Sequence, residues 1–281
     1  MKKRILSIIL ALVTLMGVML LSSCGEHSTV NNAMENMREL EDVDFDVYID
    51  ATLQTGKWTK NYKLVNNVSV DGGVAVLTLG EYGGESQRVF ISGNTAFFES
   101  DKTKTALSEY EKSAGSYEQY TKEMFFEFSK ELFEDASKKE SAGKLITKMT
   151  VKSEDAEEMT EGFVETIKSR LSYFSMCASC RSQEVYAQEA VCCASCELTY
   201  FDIGECAFEI YTKDGYVTEQ TLEFTADFGT AGYDYVLTLK IKLCANNPGK
   251  NVSVSLPQDA GSYTLVKDME RKTLDQLCGG K

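Results

Sequence analysis

Alternation of apolar and polar residues is the feature of this chain that most restricts its fold. From Val43 to Leu53, six apolar side chains occupy every second position, and residues 222–228 and 233–243 repeat the pattern. Successive side chains of a β-strand point to opposite faces, so a period of two predicts strands with one buried and one solvated face. We therefore expect a sheet with an apolar core on one side.

Short turns connect these strands to their neighbours along the chain. Glycine-containing turns lie at residues 71–73, 92–94 and 213–215, and strands joined by such turns pair antiparallel. A late strand is predicted from Val252 to Leu256, directly before Pro257. Strands do not alternate with helices along the chain, which argues against a parallel, doubly wound sheet.

Helical periodicity appears between the two groups of strands. One helix is predicted over residues 117–132, and a second begins at Ser153 or shortly after it. A shorter helix, capped by Asn31 or Asn32, precedes the first strand. The predicted fold class is α+β, with a curved antiparallel sheet, an unclosed half-barrel, wrapped over helices.

The first 24 residues are ordered like a bacterial export signal. Basic residues at positions 2–4 precede an apolar run from Ile5 to Leu21, and two serines stand directly before Cys24. This is the order of a signal peptide, and the cysteine resembles the lipobox of bacterial lipoproteins. The resemblance implies removal of residues 1–23 and acylation of Cys24. A spanning helix is the alternative, because the run is near the lower limit of about 20 apolar residues.

The rest of the chain is predicted to form a short tether and one domain. The tether covers residues 24–30, and a single α+β domain covers residues 31–281, with a cysteine-rich insert at residues 175–197. The formal net charge of −14 becomes −17 when the three basic residues of the signal are removed. An acidic surface disfavours nucleic acid, whose phosphates bind Lys and Arg. It also leaves the acyl anchor as the contact with the membrane.

The order of elements resembles that of the lipoprotein-carrier family, which includes LolA and LolB. The shared features are the lipobox at Cys24, a short helix that leads into the Val43–Leu53 strand, a meander, central helices and a late strand that ends at Pro257. The resemblance covers residues 31–257. It implies an unclosed β-barrel with helices on its concave side and a cavity that holds acyl chains. The stretch from Met176 to Cys196 and the acidic charge depart from the family pattern.

One wide apolar stripe in the middle of the chain is a candidate lining for such a cavity. Tyr117, Tyr120, Met124 and Phe128 share one face of the predicted helix. A wide stripe indicates a helix that is covered on more than one side or that borders a cavity. These four residues are the predicted ligand-binding residues, and the alternative is that they only fill the core.

Cysteines are concentrated in the predicted insert. Two identical Cys-Ala-Ser-Cys units are separated by twelve residues, a spacing typical of a structural zinc site. Disulfides are the other interpretation, because they persist outside the cytoplasm and because acylation of one cysteine leaves eight of the nine. No other cofactor is expected. The residues of this predicted metal or disulfide site are Cys177, Cys180, Cys192, Cys193 and Cys196.

The sequence carries no recognisable catalytic set. His27, the single histidine, lies in the predicted tether, which excludes Ser-His-Asp and Cys-His catalysis in the domain. Asp44, Asp46 and Asp50 are interpreted as the solvated face of a strand. The sequence thus predicts a non-enzymatic protein, lipid-anchored at the extracytoplasmic face of a bacterial cell membrane, that binds a lipid or acyl ligand in an apolar concavity. The alternative is a surface-anchored module that binds an envelope protein and no small molecule.

Overall fold

Twelve strands of the described chain form one open sheet. The computed structural model describes residues 28–80, 86–106, 124–159, 198–230 and 233–265. The strands are β1 (Val43–Thr55), β2 (Trp58–Asp71), β3 (Val74–Gly80), β4 (Ser86–Ser92), β5 (Thr95–Phe98), β6 (Thr103–Ala106), β7 (Ser137–Ser141), β8 (Lys144–Val151), β9 (Leu198–Lys213), β10 (Tyr216–Thr230), β11 (Tyr233–Ala245) and β12 (Thr264–Leu265).

A central seam between β1 and β11 joins two wings of the sheet. The order is β12-β6-β5-β4-β3-β2-β1-β11-β10-β9-β8-β7, so β1–β6 and β7–β11 each form a meander of sequential strands, and β12 lies beside β6. At the seam, Phe45 lies opposite Ala245 and Gln54 opposite Val236. Neighbouring strands are antiparallel except for β12, which pairs parallel with β6. The sheet is curved and not closed, which confirms the predicted fold class.

In the residues that the structure describes, three α-helical segments accompany the sheet. They are α1 (residues 28–38), α2 (Lys130–Glu134) and α3 (Ser153–Met159). Val30, Ala33, Met34 and Met37 of α1 are fully buried, at the three- and four-residue spacing of a helix face that covers a core. Because α1 already includes residues 28–30, the prediction that Asn31 or Asn32 caps this helix is wrong. The helix thus includes residues 28–30 of the segment predicted as a tether.

The helix predicted over residues 117–132 is wrong for its second half. Residues 124–129 belong to neither a helix nor a strand, and only Lys130–Glu134 is helical there. Met124, Phe125 and Phe126 are all buried, whereas three consecutive helical residues point about 100° apart and cannot share one buried face. We call residues 124–128 the strap.

The predicted late strand is also wrong. Residues 251–256 alternate between exposed and half-buried, as a strand would, but they join no neighbour in the sheet. The backbone N–H of Val254 donates instead to the carboxylate of Asp71 at 3.1 Å. This extended segment leads to Tyr263, which is buried and packs edge-on against Phe97 of β5, with ring centroids 6.1 Å apart.

Candidate functional site

One face of the sheet, which we call the inner face, carries the apolar core. Its side chains from β8 to β2 are largely buried, as the alternation in the sequence predicted, and they form one cluster with α1 and the strap. Neighbouring inner-face positions match across the strands. For example, Met149 lies opposite Phe208, Phe208 opposite Leu222, and Leu222 opposite Ile241.

Aromatic rings of the strap pack onto the inner face over several strands. Phe126 and Phe128 approach the ring of Phe208 on β9 edge-on, with centroid distances of 5.6 and 5.3 Å. Phe125 packs on Phe45 of β1 at 5.9 Å. Since β1 and β9 are separated by β11 and β10, the strap covers about 14 Å of the sheet at about 4.8 Å per strand.

Asn31 of α1 holds the backbone of the strap at Phe128. Its Nδ2 donates to the carbonyl oxygen of Phe128 at 2.9 Å, and its Oδ1 accepts from the N–H of Phe128 at 3.2 Å. A side-chain amide thus supplies the donor and acceptor that a neighbouring strand would otherwise supply.

Two further side chains bind carbonyl oxygens of the strap. Arg38 of α1 donates to the carbonyl of Phe125 at 2.7 Å and also contacts Glu35. Gln220 of β10, which is fully buried, donates through Nε2 to the carbonyl of Met124 at 2.5 Å. The described contacts to the strap backbone therefore come from side chains rather than from a strand ladder.

Among the described residues of the inner face, two buried polar side-chain atoms lack a hydrogen-bond partner. They are Oγ1 of Thr147 on β8 and Oε1 of Gln220 on β10, and both residues are 0 % exposed. Thr147 lies opposite Ile210 of β9, and Ile210 lies opposite Gln220. The two groups therefore flank Ile210 on one cross-strand row, with backbones about 10 Å apart at the usual strand spacing.

The opposite, outer face of the sheet is charged. Directly paired positions carry ion pairs between Lys63 and Asp50 at 2.9 Å and between Lys240 and Glu223 at 3.1 Å. Such solvent-exposed pairs contribute about 0–1 kcal/mol each. A depression of about 430 Å³ lies at this face, beside Lys148 and Glu209. Charges of both signs line it together with Leu132, Met149 and Phe208, and so mixed a lining suits an acyl chain less well than a mainly apolar one.

Asp44 and Asp46 of β1 lie on the outer face beside neutral side chains, unlike Asp50, which pairs with Lys63. Nδ2 of Asn67 donates to Asp44 at 2.9 Å and to Asp46 at 3.0 Å. Among the described residues, no group of three or more His, Cys, Asp or Glu side chains is placed to hold a metal ion.

Two cysteines of the described chain are free thiols. Cys206 is buried on the inner face and Cys244 is half-buried. Burial raises the pKa of the Cys206 thiol to about 12, so this side chain stays protonated and unreactive at neutral pH. Of the eight cysteines other than Cys24, six thus remain for disulfides or a metal.

The structure describes some of the predicted site residues and not others. Met124 and Phe128 lie within the core cluster at 0 % and 1 % exposure, and their role in ligand binding stays a prediction. The other predicted site residues, for ligand, lipidation and metal or disulfide, lie outside the described residues: Tyr117, Tyr120, Cys24, Cys177, Cys180, Cys192, Cys193 and Cys196.

Sequence reasoning missed Asn31, Arg38 and Gln220, which hold the strap. Gln220 carried a usable signal, because it stands on the apolar side of an otherwise alternating strand. A buried amide there requires a polar partner.

Within the described part of the chain, no helix is long and apolar enough to cross a bilayer.

Comparison with known proteins finds remote structural similarity only. No protein-family model and no curated protein matches the sequence. The lipoprotein LppX of Mycobacterium tuberculosis is 8% identical, with 82% of this chain and 97% of that chain covered, at a TM-score of 0.36. A LolA-superfamily protein of Nitrosomonas europaea is 8% identical, with 81% and 94% covered, at a TM-score of 0.25.

A third solved structure is a putative outer-membrane lipoprotein-sorting protein domain of Vibrio parahaemolyticus. It is 9% identical, with 87% of this chain and 99% of that chain covered, at a TM-score of 0.19. Similarity at this level does not place the chain in a family.

Proposed function

We propose that this protein is a lipid-anchored, extracytoplasmic protein that binds the acyl chain of a lipid on the inner face of its sheet. The supporting observation is the strap. It lies on a broad apolar face without forming regular secondary structure, and side chains of α1 and β10 bind its backbone.

An acyl chain has the right properties to replace the side chains of the strap. Each methylene that leaves water contributes about 0.8 kcal/mol, and a hydrocarbon chain has no backbone groups to satisfy. The strap, in contrast, gains its aromatic contacts with Phe208 and Phe45 only while its carbonyl groups are bonded to side chains. Exchange of strap for ligand keeps the apolar face covered.

Photocrosslinking in cells tests both parts of the proposal. Cells that produce the full chain are fed palmitate bearing a diazirine and an alkyne, are irradiated, and crosslinked peptides of the protein are mapped by mass spectrometry. We expect label on the peptide that contains Cys24, from acylation, and separate, light-dependent label on inner-face peptides. If no inner-face peptide carries light-dependent label, the proposed ligand binding is wrong. If the Cys24 peptide carries no label, the proposed lipid anchor is wrong.

A matched pair of variants on β10 controls for position. Leu222 is fully buried on the inner face, whereas Thr225 is exposed on the outer face. Leu222→Trp fills the proposed binding surface and should reduce inner-face crosslinking, while Thr225→Trp should leave it unchanged. Circular dichroism of both variants checks that they fold, because a larger core side chain typically costs about 1–3 kcal/mol.

A further inference from the structure

The buried polar side chains of the described chain are all uncharged. They are Asn66, Thr105, Thr147, Thr212 and Gln220. Burying a carboxylate or phosphate without a cation costs several kcal/mol, so these described residues favour a neutral ligand group. Arg38 is the cation nearest to the strap backbone in the described contacts, but it is already paired with Glu35 and its side chain is 31% exposed.

Of these five, Thr147 and Gln220 each have a fully buried side-chain atom without a hydrogen-bond partner. Leaving a buried hydroxyl or amide oxygen unpaired costs about 1–3 kcal/mol per group, and native proteins rarely retain such atoms unless something binds them. While the strap lies on the sheet, Nε2 of Gln220 donates to the carbonyl of Met124, and its Oε1 is an unpaired acceptor whether or not the strap is displaced. Thr147 offers both a donor and an acceptor.

We infer that Thr147 and Gln220 form a polar subsite for the head group of an uncharged acylglycerol. This inference rests on the proposed function, since it names the class of lipid that the inner face takes. A glycerol hydroxyl donates to Oε1 of Gln220, and the hydroxyl of Thr147 donates to the ester carbonyl or accepts from a second hydroxyl. A head group with several polar atoms suits two groups about 10 Å apart at their backbones, and the acyl chain then runs along the apolar row.

Competition between two lipids with the same acyl chain tests the inference. The full chain is held in detergent micelles that contain equal amounts of 1-monooleoylglycerol and oleic acid at pH 8, and native mass spectrometry measures the ratio of the two bound lipids. We expect at least tenfold more monooleoylglycerol than oleate. An equal ratio, or an excess of oleate, would overturn the neutral subsite while supporting acyl-chain binding; binding of neither lipid would overturn the proposed function itself.

Thr147→Val is the decisive variant because it keeps the shape of the side chain and removes the hydroxyl. It should lower the preference for monooleoylglycerol about fivefold to tenfold, the value of one net hydrogen bond, without lowering the melting temperature of the lipid-free protein. Thr105→Val, a buried threonine on β6 in the other wing, is the control and should leave the preference unchanged. If Thr147→Val leaves it unchanged as well, the unpaired atoms bind only solvent and the inference is wrong.

Discussion

Replacement of Asn31 by alanine tests how firmly the strap is held. The side-chain amide of Asn31 forms two hydrogen bonds with the backbone of Phe128, at 2.9 and 3.2 Å. Asn36, five residues further along α1, forms one hydrogen bond of 2.7 Å to the carbonyl of Gly215. Both asparagines are half-buried, so Asn36→Ala is a control on the same helix.

The expected loss of stability in each variant follows from the number of hydrogen bonds that it removes. Each hydrogen bond contributes about 1 kcal/mol net, and alanine gains up to about 0.7 kcal/mol of helix propensity over asparagine. Asn31→Ala should therefore lower the free energy of unfolding by about 1.3 kcal/mol, and Asn36→Ala by about 0.3 kcal/mol. The gain in helix propensity is the same in both variants, so the difference between their free energies of unfolding is about 1 kcal/mol, the value of one hydrogen bond. If water cannot reach the groups of Phe128, their desolvation adds about 1–3 kcal/mol.

Urea denaturation of the two variants and the parent chain measures this difference. At about 2–4 °C per kcal/mol for a domain of this size, thermal melting should resolve it too. Asn31→Asp adds a second comparison, because it keeps an acceptor for the N–H of Phe128 and loses the donor to its carbonyl. Equal stability of Asn31→Ala and Asn36→Ala would show that the Asn31 hydrogen bonds add nothing to stability.

Four other outcomes are expected. Cys24→Ala should abolish labelling of the protein by an alkynyl fatty acid, and equal labelling of variant and parent would contradict lipidation. Cys206 should react with a thiol reagent at pH 8 only after unfolding, whereas Cys244 should react earlier, as peptide mapping would show. The pKa of Glu209 is lowered, chiefly by the hydrogen bond from Tyr211. Ionised Glu209 therefore stabilises the fold above pH 4.5, and this stabilisation is lost as the pH falls through the folded pKa. Between pH 7 and pH 3, Glu209→Gln should lose less free energy of unfolding than the parent chain. The two Cys-Ala-Ser-Cys units should release one zinc and about four thiols on chelation if they bind metal, or show few free thiols without reductant if they form disulfides.

The sheet could be predicted from the sequence because its strands bury one face. Val43 to Leu53 alternate without interruption, so the face that each residue occupies follows from the period alone. Strands without apolar alternation were missed: β6 and β7 are short and polar, and only their neighbours reveal them. Their positions depend on pairing, which a single segment does not encode.

The strap could not be predicted, for a related reason. Met124, Phe128 and Leu132 follow a helical spacing, but burial of Phe125 and Phe126 breaks the single-sided pattern. The side chains that bind its backbone, Asn31, Arg38 and Gln220, lie between 87 and 97 residues away in sequence. Tertiary contacts of this kind override local propensity, and nothing in the local sequence of the strap indicates them.

The seam between β1 and β11 has a consequence for how the chain folds. Phe45 and Ala245 are partners 200 residues apart, so the contact order of the seam is high and loop closure must precede its formation. A chain that emerges from its N-terminus can form the β1–β6 meander early, but β1 keeps a free edge until β11 has been synthesised. The last pairing of the sheet is therefore expected to form late, and until then the exposed edge of β1 is a site at which chains can aggregate.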